Sequence, residues 1–159
     1  MVIYVIRHGE TEWNTKHWLQ GTTDIPLNRN GIEVAEITSE ALKGIPFDVI
    51  FSSPLKRAYQ TAEIMKRERQ IPLIVDERLK EISFGCFEGL CCTGPNYNIP
   101  DPDFPNFFQN PAHYNPPEGG ESIAELCVRG TDFLTWLIDR PEYQDKTVLI
   151  SAHGALVKA

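Results

Sequence analysis

Two short stretches, VIYVI at residues 2–6 and TVLIS at 147–151, are unbroken runs dominated by apolar and β-branched side chains. Each delivers a histidine followed by glycine: Arg7-His8-Gly9 after the first, His153-Gly154 after the second. Runs that do not alternate with polar residues predict strands covered on both faces, as in a parallel sheet with helices above and below it. FDVIF at 47–51 and Leu73, Ile74 and Val75 read as two further strands. A helix is predicted from Arg29 to Lys43, with Val34, Ile37, Ala41 and Leu42 on its apolar face and Gly44 as its stop. Ser53 is expected to cap a second helix, with Pro54 at its first position and Leu55, Ala58, Ala62 and Met65 buried. Ser122 and Glu125 read as a capping box opening a third helix, which carries Ile123, Leu126, Cys127, Leu134, Leu137 and Ile138 and ends before Pro141. The alternation predicts an α/β fold, a three-layer sandwich whose mostly parallel sheet is flanked by helices.

One segment breaks the pattern. From Glu81 to Val128 there is no Lys or Arg, while seven of the twelve prolines and seven aromatic residues fall between Phe84 and Pro117. Residues of about 84–118 are therefore expected to form an ordered aromatic and Pro-rich lid insertion. The 159 residues suit a single domain, 1–159, with a real core. A net charge of −7 argues against nucleic acid and against an anionic membrane surface as partners. No long apolar run and no signal-peptide pattern opens the chain, so a cytoplasmic protein is expected. Cys86, Cys91, Cys92 and Cys127 form no CxxC pair, and a zinc site drawn from the first three with His113 matches no usual spacing. Reduced thiols, no metal and no cofactor are the expectation.

Core strands gain nothing by ending in a titratable ring, so two strand-end histidines together point to chemistry. Arg7 adjoins one of them, Arg57 falls on the first turn of the helix after the second strand, and Gly154 leaves backbone N–H groups open. These make an anion cradle. Phosphoryl transfer needs a nucleophile held in line and fixed positive groups around the phosphoryl oxygens. A neutral imidazole can be that nucleophile, with a carboxyl group to protonate the leaving oxygen and later activate water.

The blocks RHGETEWN at 7–14, QG at 20–21, SSPLKRAYQTA at 52–62, LKEISFGCFEG at 79–89, GGES at 119–122 and SAHGA at 151–155 resemble the histidine phosphatase superfamily in its phosphoglycerate mutase-like branch. The resemblance implies a six-stranded α/β sheet with a pocket above the strand ends. It makes His8 the phosphorylated nucleophile, His153 the second pocket histidine, and Arg7 and Arg57 the clamp. It places Asn14 on the phosphate, Gln20, Gly21 and Thr22 along the substrate side, and the proton donor at Glu81. Taken on the residues alone, Glu10, Glu12 and Glu88 are alternative carboxylates, and Asn14, Gln20 and Gly21 could be turn residues. Nothing in the sequence suggests a role for His17 or His113. The acid phosphatase and phytase branch is disfavoured, because Glu10–Trp13 and Gly154 stand where its x-R-x-P and aspartate would be.

Phosphatases and mutases of this family would share the phosphohistidine step. A mutase must retain a doubly charged ligand, and its relatives carry cations after the acid motif, where this chain has none. Trp18 also stands where many relatives have arginine. Hydrolysis of small phosphomonoesters is thus expected, with a phosphoglycerate mutase or a catalytically weak binding or regulatory domain as alternatives. The lid aromatics could face a partly apolar leaving group, although pinning the insertion to the body is the simpler role. The chain stops six residues past His153, where the family continues, so the resemblance implies a missing C-terminal part. The sheet edge this would leave unpaired makes a homodimer reasonable.

Overall fold

The computed structural model describes residues 1–159. In chain order the elements are β1 (Val2–Arg7), α1 (Glu12–Thr15), α2 (Arg29–Ala41), β2 (Val49–Ser52), α3 (Lys56–Lys66), β3 (Leu73–Val75), α4 (Asn106–Gln109), α5 (Ile123–Ile138) and β4 (Thr147–Ala152). The strands form one parallel sheet in the order β1-β4-β2-β3. The last strand thus lies between the first two, with Arg7 paired to Ala152 and Ser52 to Ser151. His8 N donates to Ala152 O at 3.0 Å and Ser53 N to Ser151 O at 3.1 Å, so His8, His153 and Ser53 leave the sheet side by side. Carboxyl ends of parallel strands are where α/β sheets hold ligands.

Side chains alternate across β2 and β4, building a core on each face. Ile50 and Leu149 pack with Ala35, Phe47, Ala62 and Met65 beneath α2 and α3. Val49, Phe51, Val148 and Ile150 pack with Leu79, Phe133 and Leu137 beneath α5. The three layers follow from this division. No helix is long and apolar enough to cross a membrane.

Several sequence expectations need correction. Strand β1 is not covered on both faces: it is an edge strand pairing only with β4, and Val2 and Val5 are about half exposed. The sheet has four strands, not six, because residues 76–122 form turns and short helices and the segment after β4 forms one 3-10 turn, Leu156–Lys158. Proline-rich sequence cannot supply the donors of a central ladder. In α2 the buried ridge is Gly31, Ala35 and Ser39, while Val34 and Ile37 face outward. Small residues at i, i+4 and i+8 let α2 approach α3, and Ser39 Oγ donates to Ile64 O at 3.1 Å. On α5 the buried face is Leu126, Phe133 and Leu137, with Leu134 and Ile138 exposed one step round the helix. Ser53 does not cap α3, which begins at Lys56 without a side-chain cap. The Ser122–Glu125 capping box forms as expected.

The segment after β3 carries a third core, in which Phe84, Phe87, Phe104 and Tyr114 pack with Leu19, Ile82, Ile99 and Leu126. Phe104 lies at its centre, 1% exposed, with the rings of Phe84, Phe87, Phe107, Phe108 and Tyr114 around it. The aromatic residues therefore pin this segment to the body, and Phe84, Phe107 and Phe108 also face the pocket.

Candidate active site

A cavity of about 630 Å³ opens above the carboxyl ends of β1 and β4. Of the residues predicted from sequence, Arg7, His8, Asn14, Gln20, Gly21, Arg57, Glu81 and Gly154 line it. His153 is fully buried beside it, its ring centroid 5.1 Å from that of His8. Thr22 is absent from the wall: its backbone N–H and hydroxyl both donate to Glu88 Oε1.

The state of His8 follows from its contacts. Nδ1 lies 2.7 Å from Gly9 O, and since a carbonyl only accepts, Nδ1 carries the ring proton. Nε2 is left with its lone pair, and Arg57 Nε donates to it at 3.2 Å. Burial first, then the neighbouring Arg57 and Arg7 cations, hold the imidazole pKa down at about 3 against the opposing effect of the Gly9 carbonyl. The ring is therefore neutral at ordinary pH. His153 is held well below its usual range by burial, with Arg57 and His8 adding to the effect. Its Nε2 lies 2.8 Å from Ser53 Oγ, and its buried Nδ1 has no partner.

Arg57 is fully buried, yet no carboxylate touches it. Nη1 donates to Thr23 O at 2.9 Å and Nη2 to Gly21 O at 2.7 Å. Burial lowers its pKa to about 10, and the more distant Glu81, Asp24 and Glu88 act the other way, so the group remains cationic. A buried charge without a counter-ion is costly, and an anionic ligand beside it removes that cost. Arg7 is exposed, makes no hydrogen bond through its side chain and lies over Gly154, whose position would bring a Cβ 3.5 Å from Arg7 Nε. The site is thus locally positive in a protein of net charge −7.

Glu81 is the only carboxylate side chain on the pocket wall. Oε1 accepts from Ile82 N at 3.0 Å and Leu156 N at 3.3 Å, and Oε2 from Ala155 N at 3.1 Å. The alternative carboxylates are occupied elsewhere or outside the wall. Glu10 accepts from Asn28 and Asn30, and Glu12 lies in the first turn of α1. Glu88 accepts from the backbone and hydroxyls of Thr22 and Thr23 and from Phe84 N at 3.1 Å. This binds the 20–23 loop, whose carbonyls hold Arg57, to the turn at 84–88. Gly21 permits the arrangement, with φ at +50° and a Cβ position only 2.0 Å from Glu88 Oε1.

Asn14 Oδ1 accepts from Thr11 N at 3.0 Å in the cap of α1, which leaves its Nδ2 donors without a protein partner. Gln20 Oε1 is 2.9 Å from Thr11 Oγ1. Both residues therefore serve local structure and face the cavity. Trp18, singled out in the sequence, lies on the wall, and the residues there that sequence reasoning gave no role include Trp13, His17, Cys92 and Lys158. His17 follows α1 at φ +56°, a reversal that no sequence pattern announced. Cys86, Cys91, Cys92 and His113 do not gather, and no three His, Cys, Asp or Glu side chains come together to hold a metal ion.

The family model described as histidine phosphatase superfamily (branch 1) matches residues 3–159. The chain is 36% identical over 157 residues to the uncharacterized phosphatase PhoE of Bacillus subtilis, covering 99% of this chain and 74% of that protein. It is 32% identical over 163 residues to a 2,3-bisphosphoglycerate-dependent phosphoglycerate mutase of Cytophaga hutchinsonii, covering 99% and 74%. Among solved structures, YhfR of Bacillus stearothermophilus superposes with a TM-score of 0.89 at 35% identity, covering 98% of this chain and 75% of that one. The chain thus spans about three quarters of the length of these relatives.

Proposed function

Because the chain belongs to the histidine phosphatase superfamily, branch 1, we propose that it hydrolyses small phosphomonoesters through a phosphohistidine formed on His8. The single observation that carries this reading is the neutral His8 ring, with Nδ1–H tied to Gly9 O and the Nε2 lone pair beside a buried, counter-ion-free Arg57. The Arg57 and Arg7 cations hold the phosphoryl oxygens, joined by the free donors of Asn14 and by His153 Nδ1. His8 Nε2 attacks phosphorus as the ester P–O bond breaks, and Glu81 gives its proton to the departing oxygen. In the second half Glu81 takes a proton from water as that water attacks phosphorus. The N–P bond then breaks, its electron pair returns to Nε2, and inorganic phosphate leaves. Splitting the reaction into two steps lets one carboxyl serve as acid and then as base. No metal or cofactor enters either half.

Hydrolysis is favoured over transfer by the pocket wall that residues 81–128 contribute, which holds Glu81, Phe84, Cys92, Phe107, Phe108, Pro111, Ile123 and Leu126 and no cation. Retaining a bisphosphate calls for positive groups there. One observation favours a phosphoglycerate mutase as the second reading: Lys158 lies on the wall. Phosphorus NMR of 3-phosphoglycerate and other phosphomonoesters, with a trace of 2,3-bisphosphoglycerate and excess chelator, separates the two. Free phosphate that His8→Ala abolishes supports the phosphatase, whereas accumulation of 2-phosphoglycerate overturns it in favour of the mutase.

A further inference from the structure

The GGES block and the helix that follows it contribute nothing to the pocket's reacting groups, yet they hold the segment that carries Glu81. Arg129 projects from α5 with all five of its N–H donors engaged. Nη1 donates to Arg78 O at 2.8 Å and to Lys80 O at 2.6 Å, and Nη2 donates to Glu81 O at 3.0 Å. The other edge of the guanidinium makes a two-point contact with Glu121, Nε to Oε1 at 2.6 Å and Nη2 to Oε2 at 2.7 Å. Glu121 is itself placed by its backbone, whose N–H donates to Ser83 O at 2.9 Å just past Glu81. Both side chains are largely buried, and neither lines the cavity.

A guanidinium bonded to three backbone carbonyls within four residues in this way sets the direction in which residue 81 leaves the chain. Lysine has three donors on a single point and cannot reproduce the planar two-sided contact. On the other side, the Glu81 carboxylate is fixed by Ala155 and Leu156 N–H, so its backbone and its side chain are each held from a different element. We propose that Arg129, aligned by Glu121, is the positioning residue for the Glu81 carboxyl, so that the pair governs proton transfer to the leaving oxygen and leaves attack by His8 untouched. This inference rests on the reading of Glu81 as the proton donor.

The test compares kcat/KM for p-nitrophenyl phosphate, whose leaving group departs without a proton, with kcat/KM for an alkyl phosphomonoester, whose leaving group needs one. The ratio of the two is taken on one enzyme preparation, so partial loss of folded protein cancels. Glu81→Gln calibrates the ratio, and removal of a general acid is expected to shift it by about 100-fold or more. Arg129→Lys and Glu121→Gln are expected to shift it in the same direction by about 10- to 100-fold, the effect of a misplaced group. Equal losses on both esters, or none, in Arg129→Lys and Glu121→Gln while Glu81→Gln is selective would overturn the positioning role alone. A Glu81→Gln variant with an unchanged ratio would instead overturn the proton-donor reading on which it rests. Should Arg129→Lys fail to fold, Glu121→Gln, which preserves shape, decides the question by itself.

Discussion

The neutral state of His8 makes the folded protein sensitive to acid in a way that can be isolated. Unfolded, the imidazole titrates near 6.5, whereas burial and the Arg57 and Arg7 cations lower it to about 3 in the native state. Between those values the unfolded chain binds a proton that the native chain refuses, so native stability falls as pH falls from about 6.5 towards 3. At about pH 5 this single group costs the native state about 2 kcal/mol relative to neutral pH. That figure depends little on the exact native value, because protonation of the native ring is negligible at pH 5. Urea unfolding of the parent protein and of His8→Asn, each at about pH 7.5 and about pH 5, is the assay. Burial, the largest cause of the lowered His153 pKa, and every carboxylate are common to both proteins, so the difference in their pH dependence belongs chiefly to residue 8. The parent is expected to lose about 2 kcal/mol more than the variant over this interval. Parallel losses would show that His8 is as easily protonated in the native protein as in the unfolded one, and the neutral-nucleophile reasoning would fail with it. The same reasoning keeps the Nε2 lone pair available in the free enzyme at pH values where an exposed histidine is charged.

Other consequences are open to measurement. Arg57→Lys removes the Nε contact to His8 and the forked bonds to Gly21 O and Thr23 O, and steady-state kinetics should show kcat/KM reduced by about 100-fold or more. Gly21→Ala forces an unfavourable φ and brings a methyl group against Glu88; thermal melts should show a loss of at least about 1 kcal/mol, and an unchanged Tm would mean the loop sits differently. Phe104→Ala empties the centre of the third core and should cost about 3–5 kcal/mol in chemical denaturation, with loosening of the pocket wall at Phe107 and Phe108.

What could be read from the chain alone was whatever is written in neighbouring residues. The apolar runs before His8 and His153, the Ser122–Glu125 cap and the Leu55, Ala58, Ala62, Met65 spacing each describe a local preference, and each reappears in the structure at its expected place. The grouping of residues at the strand ends was legible for the same reason, since Arg7 and His8 are adjacent and Arg57 lies in the first turn of its helix. The pairing of distant segments was not. VIYVI has the composition of a central strand, yet lies at the edge, because burial of a strand depends on how many neighbours the sheet gives it and not on its own residues. Val34 and Ile37 had the hydrophobicity to face inward but lost to Gly31, Ala35 and Ser39, whose small size allows two helices to touch. Ser53 looked like a cap and faces His153 instead. Glu88 stood in the sequence only as one alternative carboxylate and Arg129 not at all, since, apart from Phe84 N and Glu121 nearby, their partners lie 65 and 66 residues away for one and 48 to 51 away for the other.

The sequence by itself thus determined the α/β class, the strand-end histidines and the cations beside them, because secondary structure and residue chemistry act over a few positions. Only the tertiary structure decided which nitrogen of His8 is unprotonated, that Arg57 lacks a counter-ion, and how the Glu81 carboxylate is held at the pocket. Those properties arise from the distance and desolvation that packing imposes on groups far apart in the chain, and no stretch of sequence contains them.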